Sequence, residues 1–184
     1  MLKRLDYNNT HRELVEECKR GQRKAQFELY RLYSKAMFNI CLRMLKNEAD
    51  AEDVLQASFV DAFTKLDTFR FQSSIGAWIK RIVVNNCINF LKRRKLSIVE
   101  MNTNVLSIET PEEDNNPLPH NMSVDKVKSA MMKLPNGYRI VCSLYLLEGY
   151  DHKEIAEILD ISEATSKSQF SRAKRKLRSM LAEE

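Results

Sequence analysis

The stretch EIAEILDISEATSKSQFSRAKRKL, Glu154–Leu177, decides how the last third of the chain folds. Ile155, Ile158 and Leu159 give a short segment one apolar face at helical spacing. Asp151 stands at its N-cap with Glu154 three residues on, the pattern of a capping box. DIS, Asp160–Ser162, forms a turn, and Ser162 followed by Glu163 suits the start of a second, longer helix. At 100° per residue, Phe170, Ala173, Leu177, Met180 and Leu181 share one side of that helix. Thr165, Ser168, Arg172 and Arg175 share the other, flanked by Lys167 and Ser171 on one edge and Gln169 and Lys176 on the other.

A stripe of hydroxyls and guanidiniums suits a DNA major groove. Arg reads guanine through two donors, Ser and Thr bond phosphates or base edges, and the surrounding cations neutralise phosphate. The same pattern also describes a solvated basic face on a terminal helix, and the hairpin alone does not separate the two. Bulk composition leans toward an anionic partner. The 184 residues carry a net charge of +5, with 30% charged and 43% hydrophobic residues. Four Gly and four Pro suit an all-helical protein.

Cys18, Cys41, Cys87 and Cys142 are far apart, as are His11, His120 and His152, which argues against a zinc site or a disulfide framework. Each cysteine falls in an apolar-periodic segment and reads as a buried free thiol, suited to a reducing cytoplasm. The opening MLKRLDYNNTHREL is polar, without the apolar core of a signal peptide, and no run reaches the ~18 apolar residues of a membrane span. The expectation is a soluble cytoplasmic protein that does not insert into membranes and needs no metal, cofactor or small-molecule substrate.

Residues 97–124 hold no Lys or Arg, three of the four prolines (Pro111, Pro117, Pro119) and five acidic residues. They read as an extended acidic linker. The expected organisation is therefore all-α: a helical bundle over 8–95, a linker over 96–124 and a helix-turn-helix domain over 125–184. In the first block, Phe27, Tyr30, Tyr33, Met37, Ile40, Cys41 and Met44 form one helical face; Val54, Leu55, Ser58, Phe59, Ala62, Phe63 and Leu66 form a second; Ile75, Trp78, Ile79, Ile82, Val83 and Phe90 form a third. Breaks fall at KNEAD and DTFRFQSS. In the second block, helices are expected over 125–133 and 139–147, separated by LPNG.

The third of these helices carries a polar stripe as well. Arg81, Asn85, Asn89 and Lys92 are spaced four, four and three apart, and KRRK at Lys92–Lys95 extends the charge. Upstream, TFRFQSS places Phe69 and Phe71 in a polar loop. Aromatic rings beside amides and cations suit single-stranded nucleic acid, where rings stack on unpaired bases. Trp78 sits at core spacing and reads as packed, and Phe69 also fits a core plug at a helix start. Asn85 and Asn89 are stronger candidates, since a purely structural helix is better served by alanine.

Taken together, FELYRLYSKAMFNICLRMLKNEADAEDVLQASFVDAFTKLDTFR, SSIGAWIKRIVVNN and LPNGYRIVCSLYLLEGYDHKEIAEILDISEATSKSQFSRAKRKL resemble regions 2 and 4 of the extracytoplasmic-function (ECF) sigma factors of bacterial RNA polymerase. The order, the spacing and the acidic linker make the match specific, and it covers nearly the whole chain. The resemblance implies a protein that binds RNA polymerase core enzyme and directs it to promoter DNA, with no bond made or broken by its own residues. It implies core docking through Asp50, Asp53 and Gln56 of DAEDVLQ, with Phe59 behind. It implies −10 recognition by Phe69, Arg70, Phe71, Gln72 and Ser73 of a base-capturing loop together with Arg81, Asn85, Asn89 and Lys92, and −35 recognition by Thr165, Lys167, Ser168, Gln169, Ser171, Arg172 and Arg175. Many members are held by an anti-sigma protein, often membrane-bound, so a partner of that kind is expected. Four positions depart from the usual pattern: Ala57 replaces an acidic residue, Phe71 a glycine, Asp160 a glycine and Gln169 an arginine.

Two other readings remain open from the residues. A conventional helix-turn-helix regulator would bind duplex DNA unaided, usually as a dimer, although no dimerisation helix is evident. A nuclease would need clustered carboxylates for metal. Asp50, Glu52 and Asp53 are the only dense acidic group near a basic block, and no His or Lys accompanies them.

Overall fold

The computed structural model describes residues 11–94 and 123–182. All but the last two residues of the expected linker, and the expected start of the first domain at residue 8, lie outside them. The chain divides into two compact units after Phe90, five residues before the expected end of the first domain. Among the described residues there are helices and turns but no strand.

The first unit comprises α1 (Arg12–Lys19), α2 (Arg23–Leu45), α3 (Glu48–Thr64), a 3₁₀ turn (Leu66–Thr68) and all but the last three residues of α4 (Ile75–Arg93). Its core is built from three-and-four periodicities. Leu29, Met37, Ile40, Cys41 and Met44 of α2 and Ala51, Val54, Leu55, Phe59 and Ala62 of α3 are all buried. The KNEAD break holds. Lys46 leaves α2 in the left-handed conformation (φ 60°), and the Asn47 side chain accepts from the Asp50 amide at 2.9 Å to cap α3. So short a connection makes α2 and α3 antiparallel neighbours, and Tyr30 meets Phe59 edge-on at 4.8 Å. Gly76 lets α4 come close to α2, because a Cβ there would lie 2.6 Å from Cε1 of Tyr33.

Two expectations change, and one helix adds to the expected set. Phe27 does not join the α2 core face; it is 67% exposed, and Ala25 and Leu29 are buried in that turn. Trp78 is half-buried rather than a core residue. Helix α1, which the polar N-terminus concealed, buries Val15 and Cys18.

The second unit comprises α5 (Val124–Lys133), α6 (Asn136–Cys142), a π-helical segment (Ser143–Leu147), α7 (His152–Leu159) and α8 (Glu163–Ala182). Ser123 caps α5 by accepting from the Lys126 amide at 3.2 Å, so the helix starts just inside the expected linker. α6 starts three residues before the expected Arg139. Arg139 itself is buried, and its Nη1 donates to the Leu134 carbonyl (3.3 Å) and to Oδ1 of Asn136 (2.9 Å), fastening LPNG to the core. Burial lowers its pKa to about 10.

The hairpin forms as its pattern implies. Asp151 accepts from the Glu154 amide at 2.8 Å while Glu154 accepts from the Asp151 amide at 2.9 Å. Asp160 ends α7 at φ 60°, ψ 49°, and Ser162 caps α8 through the Thr165 amide at 3.0 Å. Ile155 and Leu159 pack with Phe170, Ala173, Leu177 and Leu181 in the core, while Ile158 and Met180 are only partly covered. His152 ties the hairpin together. Its Nδ1 lies 2.9 Å from the buried Ser166 hydroxyl, and its ring stacks on Tyr145 at 4.5 Å.

Asp151→Ala removes the reciprocal cap and is expected to lower the stability of the second unit by about 1 kcal/mol in urea unfolding. Asp160→Gly relieves a side chain in the left-handed region and should raise it by up to about 1 kcal/mol, partly offset by the freer unfolded chain. Burial, then Lys167, depresses the His152 pKa, so the folded state prefers neutral imidazole. That contribution is present above the ordinary value of about 6.5 and is lost as pH falls below it. The thermal midpoint of the second unit should therefore drop between pH 7.5 and 5.5 more in the parent than in His152→Gln.

Candidate nucleic-acid interface

Helix α4 is a two-faced element. Ile75, Ile79, Val83, Val84, Cys87, Ile88 and Leu91 are buried, and that periodicity turns Arg81, Asn85, Asn89 and Lys92 to the surface, where all four are exposed. The file runs along the C-terminal two thirds of the helix and ends beside the basic residues Lys92, Arg93 and Arg94. Asn86 takes the opposite role from its neighbour Asn85. Its Nδ2 donates to Oδ2 of Asp61 at 2.9 Å and to the buried Ser58 hydroxyl at 3.1 Å, and Ser58 in turn donates to the Val54 carbonyl. This polar link fixes how α4 is rotated against α3. The four-four-three spacing leaves Asn86 out of the series, but its partners Asp61 and Ser58 are visible only in the fold.

The loop before α4 is held by its aromatics. Phe69 is buried, the core plug among its two expected roles, and contacts both Phe71 (4.9 Å) and Trp78 (5.4 Å). Phe71 is half-buried and left-handed at φ 57°. Arg70 and Gln72 are exposed, Ser73 is half-buried, and Ser74 caps α4 by accepting from the Ala77 amide at 3.2 Å.

On α3, Asp53 and Gln56 are exposed, Asp50 is half-buried and Phe59 is buried behind them. Ala57 and Val60, the latter 65% exposed, share this outer face and give it an apolar part that sequence reasoning did not assign.

On α8, Lys167 and Arg175 are exposed, and Thr165, Ser168, Ser171 and Arg172 are half-buried at the surface. Lys167 pairs with Glu163 at 2.7 Å, a contact that salt screens readily. The hydroxyls are partly engaged: Thr165 Oγ1 lies 2.8 Å from Ser162 Oγ, and Ser168 donates to the Thr165 carbonyl at 3.0 Å. Gln169 departs from its expected place. It is 3% exposed, and its Oε1 has no hydrogen-bond partner, so the side chain belongs to the packed side of α8 rather than to the contact stripe. Phe170 and Ala173 bracket it there, and the 100° wheel had put it only on an edge. Gln169→Leu should be neutral or stabilising by up to about 1 kcal/mol, since it removes an unsatisfied buried carbonyl; thermal unfolding reads this directly.

Cys18, Cys41, Cys87 and Cys142 are all free and buried. Burial raises the Cys18 thiol to about 11 and Cys142 to about 12, while Cys87 is raised by a hydrogen bond with Cys41 and by burial. Cys18, Cys87 and Cys142 are protonated packing residues at neutral pH. Among the described residues no group of His, Cys, Asp and Glu is arranged to hold a metal, and no helix is long and apolar enough to cross a membrane.

Residues 29–96 match the family model of sigma-70 region 2 and residues 125–177 that of sigma-70 region 4, together about two thirds of the chain. The ECF RNA polymerase sigma factor SigW of Bacillus subtilis is 27% identical over 176 residues, covering 91% of this chain and 94% of its own. The ECF RNA polymerase sigma-E factor of Salmonella typhimurium is 29% identical over 176 residues, covering 90% and 91%. The sigma factor RpoE of Bartonella quintana, solved in complex with the anti-sigma factor NepR, shares the fold with a TM-score of 0.55 and 23% identity, covering 84% of this chain and 95% of that one. With both regions in order and relatives matched end to end, the chain belongs to the ECF sigma factors of the sigma-70 family, alternative sigma factors that direct promoter-specific transcription.

Proposed function

We propose that the two units divide promoter recognition between single-stranded and duplex DNA. The first unit docks on RNA polymerase core enzyme through Asp50, Asp53 and Gln56, and reads the opened −10 element with the loop 69–73 and the file Arg81, Asn85, Asn89 and Lys92. The second unit reads the −35 duplex with Thr165, Lys167, Ser168, Ser171, Arg172 and Arg175. Gln169 supports that helix from behind. The observation that carries this reading is the exposed file on α4, which offers amides and cations along one helix face beside an aromatic loop.

Strand opening on this scheme needs no bond chemistry by the protein. Unpaired bases gain stacking and hydrogen bonds that the duplex withholds, on the order of 1–3 kcal/mol per stacked base. The linker keeps the second reader at high effective concentration once the first is engaged. The protein works in the cytoplasm, where polymerase and promoter meet. An anti-sigma protein, soluble or membrane-bound, controls it by covering these faces; a related fold held by such a factor supports that assignment.

Run-off transcription with bacterial core polymerase and a pool of genomic promoter fragments tests the reading. Transcripts that require the protein are expected. Their absence, with the chain alone shifting duplex DNA, would favour a conventional regulator. The asparagines provide a sharper contrast. Asn85→Ala with Asn89→Ala should cut transcripts at least about tenfold while leaving stability within about 0.5 kcal/mol. Asn86→Ala should instead cost about 1–2 kcal/mol of stability, because Asp61 and Ser58 lose their donor.

A further inference from the structure

Helix α1 lies outside the residues matched to sigma-70 region 2, yet it touches the loop assigned to base capture. Arg12 and Lys19 are seven residues apart and so share a face of α1. Both cations sit on one ring: Cζ of Arg12 is 4.7 Å from the Phe71 centroid, and Nζ of Lys19 is 4.9 Å from it. Lys19 Nζ also donates to the Phe69 carbonyl at 3.0 Å, with Glu16 3.9 Å away on its own helix. Lys19 thus grips the loop at two points, one on the backbone and one on the ring.

Phe71 has its backbone in the left-handed region, at φ 57°. A bulky residue persists there only where its surroundings over-determine it. Those surroundings include the two cations and the Phe69 ring, 4.9 Å from Phe71. Phe69 in turn contacts Trp78 at the start of α4.

We infer that Arg12 and Lys19 are positioning residues that lock Phe71 in place as a ready-made wall for an unpaired −10 base, so that α1 helps set which base the loop accepts. The inference rests on the −10 assignment of this loop. A ring already fixed before the base arrives loses less freedom on binding, and a wall that cannot yield discriminates between base shapes.

Trp78, the only tryptophan in the chain, reports on the loop without DNA. Acrylamide quenching of Trp78 in the free full-length protein should increase in Lys19→Met and in Arg12→Gln, and return to the parent value in Lys19→Arg, which keeps a cation and a donor. In run-off transcription with core polymerase and promoters randomised across the −10 element, the ratio of best to worst base at the captured position should fall about fivefold in the first two variants, the effect of losing one cation–π contact. Lys19→Arg should restore it. Discrimination altered by Phe71→Ala but not by Lys19→Met or Arg12→Gln would overturn the role of α1 and leave the loop assignment standing. Discrimination unchanged in all of these variants would overturn the loop assignment and the inference with it. Higher transcription in Lys19→Met and Arg12→Gln would show that the cations cover the ring instead of aiming it, and would also overturn the inference.

Discussion

The rotation of α4 about its own axis is the constraint on which the first unit depends. Burial of Ile79, Val83, Cys87 and Leu91 fixes which face meets the core, and the donation from Asn86 to Asp61 and Ser58 fixes the angle. A helix free to turn by one residue would sweep its side chains through about 100° and bury the file it now displays. An apolar contact tolerates some slip, whereas a hydrogen bond to a buried hydroxyl does not. The exposed amides of Asn85 and Asn89 are therefore a consequence of core packing, and their chemistry is available because the helix is stable without them.

The second unit solves a different problem with similar means. Reading duplex DNA, the role proposed for α8, needs a rigid helix presented to a groove, and α8 is braced from several sides. The Asp151–Glu154 box starts α7, Asp160 turns the chain sharply, and His152 reaches from α7 to Ser166 on α8 while stacking on Tyr145. Unpaired bases instead need rings and amides that can accept several base shapes. On the proposed assignment the loop at Phe69–Ser74 supplies these, from a short non-helical segment held by the contacts of Phe69 with Phe71 and Trp78.

Much of this was legible in the sequence because it rests on local rules. The capping box at Asp151, the Ser162 cap, the KNEAD break and the α4 stripe follow from spacing and side-chain chemistry alone. What was missed required tertiary information. Helix α1 has few apolar residues, and only the Val15–Cys18 pair hinted at a buried edge. Phe27 obeys helical spacing but faces away from the core, since Ala25 and Leu29 occupy the side that packs. Phe69, whose polar neighbours left it open between an exposed ring and a core plug, is the plug: the turn before α4 folds it under Trp78. Gln169 is the reverse case, a polar residue that packing claims. In each instance, hydrophobicity gave the alphabet of the face but not its partner.

The relation between α4 and an opened strand can be observed directly. A promoter carrying 2-aminopurine in its −10 element brightens when that base leaves the stack. Mixed with core polymerase and this protein, the probe should brighten, and the Asn85→Ala, Asn89→Ala variant should abolish the rise while still joining the polymerase. An undiminished rise with that variant would contradict the assignment of the α4 file to the opened strand.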